Sequence, residues 1–150
     1  MEAHTQSDPR EFPPYEFTVE RGKIREFARA IGDPNPLHHD VEAARAAGYP
    51  DLVAPLTFAT CIDLWGGPDF EELVRRLGMD PVRVLHGEQA YEYRAPICAG
   101  DTIRARSRVR KETEREGSHG VLRIVELETT YTNQHGQDVL VGVATIIERR

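Results

Sequence analysis

"APLTFATCIDLWG" occupies residues 54–66. On a helical wheel Leu56, Phe58, Ala59, Ile62, Leu64 and Trp65 spread around most of the circumference. A helix that is apolar nearly all round is a buried one. Pro55 suits the first turn, where no backbone N–H is needed. This stretch predicts a core helix, and the remaining chain must supply what wraps it.

The wrapping is readable downstream. Residues 82–93, 102–111, 121–132 and 139–147 are long and strand-like. The breaks between them, "RAPICAGD", "EREGSHG" and "NQHGQD", are rich in turn residues. The last two strands form a hairpin candidate that turns near His135 and Gly136. Upstream lie a short strand at 15–19, a helix at 22–31 and short helices at 41–47 and 70–77. In the first of these helices Ile24, Phe27, Ala28 and Ile31 share one face, and Gly32 and Pro34 end it. Helices first and antiparallel strands second is an α+β pattern. It predicts one curved antiparallel sheet around a central helix, over residues 15–150, preceded by a loose polar arm at 1–14.

The totals narrow the function. The chain has 150 residues, enough for one domain, with 39% hydrophobic content. So lean a core favours burying more apolar surface in an oligomer. A net charge of −6 argues against a nucleic-acid binder, which needs a basic face. No apolar run approaches the roughly 20 residues of a membrane span. The opening "MEAHTQSDPREFPP" has no hydrophobic signal region, so a cytoplasmic protein is expected, away from membranes. Cys61 and Cys98 lack metal-ligand spacing and read as free thiols, Cys61 as a buried one.

The chemistry concentrates in "IGDPNPLHHD", residues 31–40. Asp33 and His38 flank two prolines, which fix φ and lower the entropy cost of ordering the loop. A carboxylate and an imidazole held at a set distance can share a water and add it to an activated double bond, or remove it. Asn35 suits a loop brace. On composition alone the same residues make an ordinary helix-to-helix connector. A metal site at "HHD" is disfavoured, because His38 and His39 are adjacent and point apart.

The order of these residues is more specific than their composition. "FARAIGDPNPLHHDVEAARAAGY" resembles the signature of the MaoC-like (R)-specific enoyl-CoA hydratases and dehydratases, through Phe27, Asp33, Asn35, Pro36, Leu37, His38, Asp40 and Ala44. "YEYRAPICAGDTIRARSRV" is similar to the family's later strand pair. "GYPDLVAPLTF" and "VLHGEQAYEYRAP" look closest to the FAS1-type dehydratase branch, which includes accessory subunits of (3R)-hydroxyacyl-ACP dehydratases.

The resemblance implies a hotdog fold. It implies a dimer, either of identical chains or with another hotdog subunit, with sites along the interface. Asp33 and His38 would be the catalytic pair. The substrates would be trans-2-enoyl or (R)-3-hydroxyacyl thioesters of CoA or acyl carrier protein, with no cofactor and no metal. Asn35, Ala54, Leu56 and Thr57 are the candidate substrate-binding residues.

Two departures bear on this. Active hydratases carry His-Gly at the start of the central helix, and that Gly amide holds the thioester oxygen; here the region reads Ala54-Pro55-Leu56. Pro55 cannot donate, which leaves Ala54 or Leu56. Conversely, accessory subunits often lack the Asp/His pair, and this chain keeps both. A non-catalytic acyl-binding subunit and a hotdog thioesterase stand as alternatives to the hydratase.

Arg104, Arg106, Arg108 and Arg110 alternate along one strand. They read either as a phosphate strip or as a solvated face paired with Glu126 and Glu128. His86 reads as structural. Tyr91, Tyr93 and Trp65 read as core or interface aromatics.

Overall fold

The computed structural model describes residues 10, 12–118 and 120–150. Among the described residues five strands form one antiparallel sheet in the order β1-β3-β4-β5-β2. They are β1 (Tyr15–Thr18), β2 (Val84–Tyr93), β3 (Thr102–Gly117), β4 (Gly120–Thr132) and β5 (Asp138–Arg149). The helices are α1 (Arg21–Ala30), α2 (Val41–Ala46), α3 (Ala59–Gly66) and α4 (Phe70–Arg76). Single 3₁₀ turns cover Pro36–His38 and Pro81–Arg83. The expected arm falls mostly outside the described residues. Phe12 within it is buried against Val74, Leu77 and Leu127.

Alternation sets the inner face of the sheet. On β4, Val125, Leu127, Thr129 and Tyr131 are buried while their neighbours are not. Period-two alternation gives a strand one buried face. Phe58, Ala59, Cys61 and Ile62 pack into this concavity with Ile24, Ile103 and Leu140. A second cluster forms where Val74, Leu77 and Met79 meet Val125, Leu127 and Ile146. The buried Arg123 ties the chain after α4 to the sheet. It donates to the Leu77 and Gly78 carbonyls and lies 2.6 Å from Glu112.

Two expectations need correction. The central helix begins at Ala59 rather than near residue 54, and it is not buried all round: Leu64 and Trp65 are 69% and 71% exposed. Pro55 explains the late start. The chain turns through short-range bonds, Phe58 N–H to Pro55 and Cys61 N–H to Phe58, before a regular helix sets in. "EREGSHG" is only partly a turn. β3 runs on to Gly117, because Glu114, Arg115 and Glu116 pair with Arg123, Leu122 and Val121 across the ladder.

Candidate active site

Helix α1 positions the first carboxylate by the way it ends. Gly32 has φ +69°, a left-handed conformation that costs glycine little. Its N–H bonds to the Arg29 carbonyl, and the Asp33 N–H reaches back to Ala28 at 2.8 Å. These two bonds make a Schellman motif, and they deliver Asp33 at a fixed place beyond the helix. Asp33 Oδ1 then accepts the Asn35 N–H, which leaves Oδ2 for another partner.

Asn35 Oδ1 accepts the Leu37 N–H and caps the 3₁₀ turn that carries His38. Pro36 sits at the first position of that turn. Asp40 caps α2 through the Glu42 and Ala43 amides. His39 donates through Nε2 to the Asp33 carbonyl at 2.8 Å, and Arg25 donates to the His39 carbonyl. Each polar residue of the loop thus has a bracing bond.

The loop brings its two candidate catalytic groups together. His38 Nε2 stands 3.2 Å from Asp33 Oδ2, with the His38 side chain 8% exposed and that of Asp33 35% exposed. His38 Nδ1 lies 2.7 Å from the Val53 carbonyl. A carbonyl only accepts, so Nδ1 carries a proton. A neutral ring then turns an acceptor, Nε2, toward the carboxylate. The pair is built to share one proton between these two atoms, at an opening that solvent reaches on the carboxylate side.

Val53 also brings in the start of the central-helix region, three residues before Leu56. The Ala54 amide donates to the Ile97 carbonyl at 2.8 Å and is spent. Among the described residues neither the Leu56 nor the Thr57 amide has a hydrogen-bond partner. Of the two donors left open by the sequence, Ala54 and Leu56, the geometry leaves Leu56, and it adds the Thr57 N–H. Tyr93 orients this turn by donating to the Leu56 carbonyl at 2.8 Å. Burial and Tyr91 push the Tyr93 hydroxyl up to about 12, so it stays a donor. Peptide planarity points the Thr57 N–H away from the carbonyl that Tyr93 holds. In the sequence Tyr93 reads only as a core or interface aromatic. Only its position opposite Leu56 reveals this role.

The other candidates play supporting or separate parts, Asn35 touching the pair only through its backbone N–H to Asp33 Oδ1. Asn35 is exposed and spends its carbonyl on the loop. Arg108 pairs with Glu128 at 2.6 Å, and Arg110 lies 3.8 Å from Glu126, so these two arginines form a solvated, paired face. His86 contacts Gln89. Cys61 and Cys98 are buried free thiols, and burial together with Asp101 pushes Cys98 up to about 11. Among the described residues no three His, Cys, Asp or Glu side chains converge as a metal site would need. No helix among them is long and apolar enough to cross a membrane.

One group was missed by sequence reading. Asp63 on α3 accepts from Tyr15 at 2.6 Å and from Tyr131 at 2.8 Å. Burial raises the Asp63 carboxyl, and the two tyrosine bonds hold it down in part. A carboxylate inside the apolar run "ATCIDLWG" was the available signal, since such a group needs partners.

The chain is similar to known proteins in sequence and in fold. The pattern of the family described as FAS1-like, dehydratase domain region, matches residues 9–141. A UPF0336 protein of Saccharopolyspora erythraea is 40% identical over 141 residues, covering 93% of this chain and 87% of that protein. One from Clavibacter michiganensis is 40% identical over 139 residues, covering 89% and 86%. Among solved structures, the C-terminally truncated HadBC (3R-hydroxyacyl-ACP dehydratase) complex of Mycobacterium tuberculosis superposes with a TM-score of 0.75 at 30% identity, covering 95% of this chain and 98% of that one. The (R)-hydratase of A. caviae involved in PHA biosynthesis has a TM-score of 0.67 at 19% identity, covering 95% and 97%, and shares the fold. With a curled five-stranded sheet packed around α3 and a family match over most of its length, this chain is a hotdog protein and belongs to the FAS1-like dehydratase domain family.

Proposed function

We infer that the chain is a hydro-lyase that reversibly adds water to trans-2-enoyl thioesters of CoA or acyl carrier protein, giving (R)-3-hydroxyacyl thioesters. The observation that carries this is the Asp33–His38 pair, 3.2 Å apart on a loop whose every polar residue is braced. Water loses a proton to this pair as its oxygen adds to C3. The electron pair moves through C2 to the thioester oxygen, where the Leu56 and Thr57 amides are free to donate. The pair then returns a proton to C2. Water supplies every atom added and no electron is gained or lost, so the step balances without a redox partner. The free amides answer the loss of a donor at Pro55, a loss worth about 10²–10³ in rate where nothing replaces it.

A second reading has its own support. Among the described residues β2 pairs only with β5, which leaves its outer edge open, and Leu64 and Trp65 lie exposed on α3. Solved relatives include complexes of two different hotdog subunits, HadBC and ChsH1-ChsH2. In that reading this chain pairs with a second hotdog subunit that supplies the chemistry.

One assay separates the two. The purified chain is given a short trans-2-enoyl-CoA and the enoyl absorbance is followed, with the chirality of the product determined. Loss of absorbance with an (R) product supports hydration by this chain. A folded chain that is inert alone, and that supports turnover with a partner even when it carries Asp33→Asn, establishes the second reading instead.

A further inference from the structure

The turn ahead of α3 leaves one carbonyl that its own backbone does not use. The Phe58 N–H goes to the Pro55 carbonyl at 2.9 Å, the Thr60 N–H to Thr57 at 3.1 Å, and the Cys61 and Ile62 N–H groups to Phe58. Among the described residues no backbone amide reaches the Leu56 carbonyl. In a regular α-helix the Thr60 N–H would take it. Here that N–H turns to Thr57 in a tighter, 3₁₀-type bond, and Leu56 is passed over. The Leu56 side chain does not anchor the residue either, being 71% exposed. The partner of its carbonyl is the Tyr93 hydroxyl, 37 residues away in sequence, at 2.8 Å.

The two unspent amides are therefore held by different groups. A trans peptide is planar, and its C=O and N–H point in opposite directions. The Leu56 N–H shares a plane with the Pro55 carbonyl, which the Phe58 amide fixes from within the turn. The Thr57 N–H shares a plane with the Leu56 carbonyl, which among the described residues Tyr93 alone fixes. Tyr93 is well supported for this. It is the last residue of β2, in register with Leu140 of β5, and it packs against the core. The two amides that follow, of Arg94 and Ala95, both donate to the Val139 carbonyl. A side chain on a strand so anchored is held more firmly than one on a loop. Tyr91, two residues earlier on the same face of β2, bonds instead to the Thr60 hydroxyl at 3.1 Å and holds no peptide group.

We propose that Tyr93 is a positioning residue for thioester recognition: by holding the Leu56 carbonyl it aims the Thr57 amide at the thioester oxygen, while the turn itself aims the Leu56 amide. The proposal rests on the hydration reading only for the ligand of these amides being a thioester. Its test uses a saturated ligand that cannot be hydrated, so either reading can fail without the other.

Butyryl-CoA is titrated into the isotope-labelled native chain, in whatever oligomer it purifies, and the amide proton resonances of Leu56 and Thr57 are followed by NMR. A new hydrogen bond moves an amide proton downfield, and both resonances are expected to move in the wild type. Tyr93→Phe keeps the ring and removes only the hydroxyl. In it Leu56 should still move, while Thr57 should keep less than about half of its movement, because hydrogen bonds weaken steeply with misalignment. Tyr91→Phe removes a phenol that holds no peptide group, and both resonances should move as in the wild type. With a short trans-2-enoyl-CoA, Tyr93→Phe should lower kcat and kcat/KM together by about tenfold to a hundredfold, the cost of a misplaced group, with KM within about twofold. A merely structural role for Tyr93 would not separate Thr57 from Leu56. The proposal is overturned if butyryl-CoA moves neither amide of the wild type, if Thr57 alone stays still there, or if Tyr93→Phe moves Thr57 as far as the wild type does. The wild-type titration decides the matter even where Tyr93→Phe does not fold. Movement of Thr57 that depends on Tyr93, in a chain that never hydrates an enoyl thioester, would support this proposal and sink the hydration reading alone.

Discussion

Asp33 and Asp63 are two carboxylates in one small domain, each held by hydrogen bonds, and they are held in opposite ways. Asp33 is fixed by backbone: the Schellman turn of α1 places it, and the Asn35 amide takes one of its oxygens. Its other oxygen faces an imidazole at 3.2 Å, at the edge of solvent. Asp63 is fixed by side chains, through two phenols that burial and the neighbouring carboxylate keep protonated. Asp33 faces an imidazole nitrogen, a group chemically able both to accept and to donate a proton. Asp63 faces groups that can only donate a hydrogen bond. The first leaves a carboxylate oxygen open beside an imidazole, and the second holds a largely buried carboxylate with fixed hydrogen bonds.

Substitutions can break this contrast, the largest effect coming at the pair itself. His38→Ala removes the imidazole and leaves the Val53 carbonyl without its partner. Enoyl-thioester turnover is expected to fall by about two to four decades, the size of an acid–base contribution, in steady-state assays. Gly32→Ala acts at one remove. An alanine at φ +69° costs roughly 1–2 kcal/mol. If Asp33 is placed by that turn, chemical denaturation should show this loss together with a fall in kcat. Asn35→Ala removes the cap of the 3₁₀ turn, and about 1 kcal/mol of stability should go with it in the same denaturation series.

The smallest effect is expected at Asp63, in pH dependence. Its folded-state pKa is raised by burial. The native state therefore holds the proton to a higher pH than the unfolded chain does, and stability declines as pH rises from the unfolded pKa, near 4, through the folded one. Asp63→Asn cannot titrate, so this decline should flatten in thermal unfolding followed from pH 4 to pH 7. An unchanged slope would mean that Asp63 is ionised in both states and that the tyrosine bonds fully offset its burial.

The contrast also explains what could be read from the sequence. Asp33 and His38 are five residues apart, and a short loop with two prolines carries their relation in its own order. Asp63 meets Tyr15 and Tyr131 across separations of 48 and 68 residues, which only the closed sheet brings together. The same distinction holds for the fold. β4 and β5 declared themselves as long strand-like runs bounded by turn residues, a signal that is local. The late start of α3 depended on how Pro55 turned the chain, and the extension of β3 to Gly117 depended on partners across the ladder. The Ala54 amide was spent on Ile97, a partner set by the isolated bridge between Val53 and Cys98, and no local pattern announces that bond.

The most direct measurement is the specificity constant of purified wild type and Asp33→Asn on one short trans-2-enoyl-CoA, with both proteins shown to be folded by circular dichroism. If the loop at residues 31–40 is a working acid–base pair, the wild type hydrates the substrate and the variant loses about two to four decades of kcat/KM while its thermal midpoint stays close to wild type. Equal activity in the two proteins would contradict it, and would leave the loop as a well-braced connector between two helices.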